Sequence, residues 1–444
     1  MSLGALPALF AKAGQVVSPK FKKLMTTDGV EVSREQSTSG TVPVIVLGGG
    51  VTVAAVLTLL ARAGIPSYTI CSRTDFVRSS RWYRELPMRG PASPDHLVEL
   101  LEKVPLKRAV LMPCADDWLT AVARLPGALA EPFPSSGPPG PVIEVLVYKW
   151  GFAQLLDQQA IPHPRTQLID SLARLASMPA ADFQGAILKP LSSVDFSMKY
   201  GVKGFVVQSQ NEALRIMANL EFPIMLQEFI PGSPTAGYFL DGFVDRNGRI
   251  CGMFARQRLR MSPPKLGNST LMVSVELDQV AEAETSLRRL LGFLKYRGTF
   301  SAEFKRDERD GQLKLFEINA RPWWYIEFAA RCGVDVSSMA YRDALSLPVE
   351  AVKAYEVGRR CVFFVHDIRA WKEQRKHGRG ESLWSWTRPW FGADGTPFHW
   401  NDPWPALAYA RRLLNDHKVR RSREKMDELL ERESPQPVRR TPTI

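Results

Sequence analysis

Cysteine and histidine are scarce in this chain, five of one and six of the other in 444 residues, and neither is clustered. Cys71, Cys114, Cys251, Cys332 and Cys361 stand singly with no Cys-x-x-Cys pair, so neither a zinc site nor a disulfide framework is indicated. Reduced intracellular thiols are the simplest reading. The histidines are equally scattered, and His163 lies between two prolines, so no histidine metal cluster follows. Long apolar runs are missing too. Val44 to Ala61 is uncharged for eighteen residues, the lower edge of a membrane span, but Gly48-Gly49-Gly50 breaks it into a strand and a helix. Residues 1–40 lack an uninterrupted apolar core of the secretory kind, and a disordered leader is expected there.

What is present is ordinary globular composition, 45% hydrophobic and 23% charged, in a chain long enough for two or three domains. The formal charge of +12 raises nucleic acid and anionic membrane as partners, but arginines are spread along the whole chain. Near the end, Lys418, Arg420, Arg421, Arg423 and Lys425 alternate with Asp416, Glu424, Asp427, Glu428 and Glu431, the pattern of a solvated helix. No nucleic-acid face is expected. Residues 434–444 carry three prolines and are expected as a disordered tail. Six of the eleven tryptophans fall between 371 and 404, for which aromatic packing in a small extension is the plainest reading. A lid over a bulky acceptor and an interfacial belt touching membrane are the less favoured alternatives.

Gly298 to Glu303 and Leu313 to Arg321 read as two strands joined by a charged turn, Lys305 to Gly311. Residues two apart in a strand share a face, so Glu317 and Asn319 project together and Glu303 on the partner strand can lie opposite them. Two carboxylates and an amide oxygen form a hard-oxygen cradle suited to Mg2+ (or Mn2+), whose other positions go to water and phosphate oxygens. Reading backwards come Gln227-Glu228-Phe229-Ile230, then Lys189 ending Ala186-Ile187-Leu188, then Lys149, forty residues before Lys189.

This ordered series resembles the ATP-grasp superfamily, and Asp241 to Arg249, Arg256 to Arg260 and Asn401-Asp402-Pro403-Trp404-Pro405 resemble its carboxylate-amine ligase branch, which includes D-aspartate ligase and carbamoyl-phosphate-synthase-like proteins. The resemblance covers roughly residues 41 to 410. It implies that Lys149 and Lys189 offset the triphosphate charge, and that Gln227, Glu228, Phe229 and Ile230 form the strand that meets adenine. It also implies that Glu303, Glu317 and Asn319 hold the metal. Asp241 is the nearest carboxylate for the ribose. Arg258, Arg260 and Arg321 are the candidates for the transferring phosphate and the acyl group. The chain departs from the family in one place: the segment Ser192 to Gly204 is not a glycine-rich lid, and its serines with Lys199 or Lys203 stand in its stead.

Upstream, Val42 to Leu47, the three glycines and Val51 to Arg62 read as the opening strand and helix of a doubly wound sheet. The dinucleotide fingerprint is incomplete, because Val53 stands at the third glycine and the second strand ends on Arg73 rather than on an acid. Asp116 and Asp117 follow another strand, Ala109 to Pro113, and are expected either to cap a helix or to meet the acceptor amine.

The fold class expected is α/β: a Rossmann-like pre-ATP-grasp domain over 41–140, then a two-subdomain α+β ATP-grasp fold over 141–350, then a small Trp-rich extension over 351–433. The small subdomain is placed at about 150–222 and the large at 223–350. The function implied is an ATP-dependent ligase joining a small-molecule carboxylate to an amine through an acyl phosphate, in the cytoplasm. A MgATP sensor and an NADP-dependent oxidoreductase are the alternatives, and a homodimer is left open.

Overall fold

The computed structural model describes residues 40–413 and 415, apart from 88, 89, 92, 192–203, 219, 264–266, 377 and 379. The expected leader, the serine- and lysine-bearing lid and the tail therefore lie outside the described residues, as does most of the expected helix at 411–432. Three sheets organise the rest.

The first holds β1 (Val44–Leu47), β2 (Ser67–Ile70) and β3 (Val110–Pro113), all parallel in the order β2-β1-β3. Every residue of β1 is buried, as a strand covered on both faces requires. The helix Gly50–Arg62 that follows is buried from Val51 through Leu60. Its far side packs on the helices Ile326–Arg331 and Val336–Ala344, so one apolar core joins the first sheet to the last third of the chain. The uncharged run at 44–61 is therefore interior. Among the described residues, no helix is long and apolar enough to cross a membrane.

The second sheet is antiparallel, β4 (Thr166–Ile169), β5 (Ala186–Pro190), β6 (Phe205–Val207) and β7 (Ile224–Glu228), in the order β4-β7-β5-β6. Strand β7 is central here, paired with both β4 and β5.

The third sheet has seven strands: β8 (Gly237–Val244), β9 (Ile250–Ser262), β10 (Asn268–Val275), β11 (Gly298–Arg306), β12 (Leu313–Asn319), β13 (Arg360–Val362) and β14 (Asp394–Gly395), ordered β12-β11-β8-β9-β10-β13-β14. One face is apolar, with Phe300, Phe304, Leu313 and Leu315 packed under Leu287, Leu290 and Leu291 of the helix Ala281–Phe293. The pleat then sends Asp241, Arg256, Arg258, Ser301 and Glu303 to the opposite face. The stretch expected as a separate extension contributes β13 and β14 to the edge of this sheet beyond β10, and the helix Phe364–Lys376 packs on β9 and β10.

Candidate active site

On the polar face, Glu303 of β11 pairs directly with Glu317 of β12, and Ser301 with Asn319. A register shift after Glu303 absorbs Phe316 as an extra residue in β12, which keeps Glu317 and Asn319 on the side of Glu303. Like charges directly opposite across a ladder repel, so this pair needs positive charge close by. Arg258 supplies part of it, its Nη2 lying 2.8 Å from Glu303 Oε1 while its Nε donates to Ser269 Oγ at 2.9 Å. Asn319 Nδ2 donates to Glu317 Oε1 at 3.1 Å, and Arg321 Nη2 donates to Asn319 Oδ1 at 3.2 Å. Among the described residues no three His, Cys, Asp or Glu side chains converge as a metal group. Two facing carboxylates with an amide oxygen nevertheless form an all-oxygen donor set of the kind Mg2+ takes.

Arg256, Arg258 and Arg260 alternate along β9, and each meets a different acid. Arg256 Nε donates to Asp241 Oδ2 at 2.6 Å, with the guanidinium stacked over Phe239 at 3.9 Å. Asp241 is fully buried, and the burial raises its pKa against the lowering effect of Arg256. Asp241, the carboxylate expected nearest the ribose, is enclosed, and both its oxygens are engaged by Arg256 inside the sheet face. Arg260 is engaged away from Glu303 and Glu317, donating to Asp367 Oδ2 and to Trp386 O, both at 2.8 Å, under the Trp386 ring. Of the three, Arg258 alone contacts a candidate metal ligand among the contacts described.

From the second sheet, Lys189 Nζ donates to Gln227 Oε1 at 2.6 Å and lies 5.8 Å from the centre of the Phe316 ring. Gln227 Nε2 in turn donates to Thr166 Oγ1 at 3.1 Å, which fixes its amide. Lys149 opens the helix Lys149–Gln158, and its backbone N–H reaches Leu191 O at 3.4 Å, so the two expected phosphate lysines come from adjoining chain segments. Glu228 is ion-paired with Arg309 at 2.6 Å, Ile230 is buried, and Phe229 lies under the ammonium of Lys305 at 5.1 Å. Lys305 Nζ also donates to Ile230 O at 2.8 Å. Burial, followed by the charge of Arg258, lowers its pKa. Sequence reasoning placed Lys305 in the turn. It belongs to β11, two residues beyond Glu303, and period two was the signal that could have found it.

Arg321 is gripped by Asp116 from the first domain, Nε to Oδ1 at 2.7 Å and Nη2 to Oδ2 at 3.2 Å. Burial is the largest single influence on Arg321 and opposes its charge, but Asp116, with Glu317 and Cys114, more than offsets it and the pKa is raised. Of the two acids, one of them expected to cap the helix Asp116–Ala123, Asp117 accepts from Trp118 N in the first turn at 2.8 Å, while Asp116 makes this ion pair across 205 residues.

The glycine turn after β1 is already filled. Asp75 accepts from Gly50 N at 3.0 Å and from Val77 N at 2.9 Å, and a Cβ at Gly49 would run into its carboxylate. A carboxylate thus occupies the positive end of the helix Gly50–Arg62, where a dinucleotide would place its pyrophosphate.

No protein-family model matches the chain. It is similar to the D-aspartate ligase of Enterococcus faecium (strain Aus0004), 23% identical over 250 residues that make up 53% of this chain and 59% of that protein. The match thus spans about three fifths of the curated relative. In structure it is similar to N5-carboxyaminoimidazole synthetase from Staphylococcus aureus, with a TM-score of 0.56 and 13% identity over 72% of this chain and 80% of the other. It is also similar to the biotin carboxylase domain of Hydrogenobacter thermophilus 2-oxoglutarate carboxylase, solved with MgADP, ADP and bicarbonate. There the TM-score is 0.56 and the identity 14%, over 72% of this chain and 73% of that one. With its parallel first sheet, antiparallel second sheet and carboxylate-bearing third sheet, the chain has the ATP-grasp fold that it shares with these solved structures.

Proposed function

We propose that this chain is an ATP-dependent ligase that joins a small carboxylate to an amine. The observation that carries the reading is the pairing of Glu303 with Glu317 beside Asn319, on the same polar face as Arg258. In this reading a substrate carboxylate oxygen attacks the terminal phosphorus of ATP, the bond to the bridging oxygen breaks, and ADP leaves. The amine nitrogen then attacks the acyl carbon, inorganic phosphate departs, and the nitrogen loses a proton to solvent as the amide forms.

Glu303, Glu317 and Asn319 would hold Mg2+ or Mn2+, which when bound supplies Lewis-acid polarisation of the phosphate oxygens. Lys189, oriented by Gln227, and Lys149 screen the triphosphate as point charges. Arg258, beside Glu303, offsets charge on the transferring group, and Arg321 grips the substrate carboxylate or acyl phosphate by exchanging for it the bidentate pair it makes with Asp116. The likeness to a D-aspartate ligase makes an amino acid the first substrate class to try.

The test is metal-dependent ADP release from ATP with pooled carboxylates crossed with pooled amines, wild type beside Glu317→Ala. Turnover that needs one pool from each side is expected, with a loss of about 100-fold or more in the variant. Glu317 is exposed, so the variant should melt like the wild type. Failure of MgATP to bind a folded wild-type protein would sink the proposal.

A further inference from the structure

The described surface exposes thirteen large apolar side chains, and six of them, Leu383, Trp384, Phe391, Trp400, Trp404 and Leu407, fall within one stretch of 25 residues. The four most exposed of the thirteen are all aromatic and all in this group, led by Trp400 at 91%. They project from anchored backbone. Trp386 is buried against Arg260, Trp390 Nε1 donates to Asp367 Oδ2 at 2.8 Å, and Asp402 accepts from Arg81 N at 3.2 Å and from the Ser80 hydroxyl. Trp384 lies beside Phe391 with ring centres 5.7 Å apart, and Trp400 beside Phe398 at 5.0 Å. In the helical run 404–413, Tyr409 packs inward on Phe76 and Phe363, which leaves Trp404, Leu407 and Arg411 on the outer face at helical spacing.

The charge around these rings is mostly positive, with exposed Glu381 at the margin accepting from Ser385 Oγ at 2.8 Å. Between residues 383 and 413 the only acids are Asp394 and Asp402. Both are buried, the first paired with Arg331 and Arg359 and the second bonded to Ser80 and Arg81. The exposed charges of the stretch are Arg388, Arg411 and Arg412, and exposed Arg81 donates to Asn401 O at 3.0 Å, beside Trp400.

We infer that the surface formed by residues 383–411 rests on an anionic lipid bilayer, with the indole rings at headgroup level and the arginines on lipid phosphates. Tryptophan favours that interface, arginine can keep its charge in the headgroups while its stem lies along apolar surface, and interfacial binding combines apolar area with attraction to anionic lipid. Leu383 and Leu407 favour lipid over single-stranded nucleic acid, which is gripped by aromatic stacking that aliphatic chains cannot supply. The excess of positive charge disfavours pairing with the same surface of a second copy. This inference goes beyond the ligase reading and does not rest on it.

The test is flotation of the full chain with vesicles of equal parts phosphatidylglycerol and phosphatidylcholine, against phosphatidylcholine alone. The protein should float with the anionic vesicles only, less so as salt is raised, with a blue shift of tryptophan emission. The quadruple variant W384A/F391A/W400A/W404A, and separately R388E/R411E with every aromatic intact, should each lower the bound fraction about tenfold. The arginine variant alters exposed side chains only and guards against a misfolded aromatic variant. The inference is overturned if the wild type does not float, if it floats equally on both vesicles, or if the folded arginine variant floats undiminished. Self-association of the wild type, or oligonucleotide binding in place of vesicle binding, abolished by these same changes would also overturn it.

Discussion

Two regions of this chain look like phosphate sites in the sequence, and they differ in where their polar groups are directed. At the glycine turn after β1, the carboxylate of Asp75 already takes the N–H of Gly50 at the helix N-terminus. On the third sheet, Glu303, Glu317 and Asn319 converge on one open face, and the cations around them hold them in place without enclosing them. A binding site needs groups whose partners can be exchanged for a ligand. The first region has committed its donors to the fold, and the second keeps its acceptors at the surface.

The contrast extends within the third sheet, where Asp241 is committed in the same manner as Asp75. Asp241→Ala should therefore act on stability. It leaves the Arg256 guanidinium buried without its carboxylate, a loss of about 3–5 kcal/mol measurable by urea unfolding, and adding Arg256→Met should restore much of it. A selective rise in the KM for ATP with little change in stability would instead return Asp241 to the ribose.

At the glycine turn, Asp75→Ala removes the acceptor of two backbone N–H groups and should cost about 1–2 kcal/mol. Turnover should stay close to wild type, and titration with NADP should leave the protein fluorescence unchanged. Dinucleotide binding by this variant would break the contrast, because it would mean that Asp75 had masked a working site.

The smallest expected effect concerns His366, which packs against Trp324, Phe363 and Tyr409. Burial, and then the nearby charge of Arg369, lower its pKa to about 4, while Tyr409 Oη lies 2.8 Å from its Nε2. The unfolded chain takes up this proton near pH 6.5 and the folded chain only near pH 4, so stability is lost as the pH falls through that window. His366→Gln should remove that component, sparing about a degree or two of Tm on going from pH 7 to pH 6. An unchanged pH dependence in the variant would place the titrating group elsewhere.

Much of the candidate site was legible because it is local. Glu317 and Asn319 are two residues apart in a strand, and Glu303 lies across a short turn, so alternation alone assembles the cradle. Lys189 and the strand ending at Glu228 were legible through their order along the chain. The pairing of Asp241 with Arg256 was not legible, because nearness in sequence to the expected adenine strand says nothing about the partner a pleated residue meets across the sheet. The hold of Asp116 on Arg321 spans 205 residues and depends on packing between two sheets, which no local pattern reports. In the fold, β13 and β14 escaped notice because strands of three and two residues carry no period. The burial of the helix Gly50–Arg62 on both sides likewise depends on helices nearly 300 residues further on.

Those two short strands bear on how the chain is made. The outer edge of β10 pairs with Val362, Cys361 and Arg360, about ninety residues later in the sequence, and β14 follows thirty residues after that. During synthesis the completed β8–β10 meander must wait with one row of N–H and C=O groups bare, a template for another chain, until residues 360–395 emerge. A chain cut at 350, where the sequence suggests a domain end, would keep every candidate catalytic residue and still be prone to aggregate through that edge.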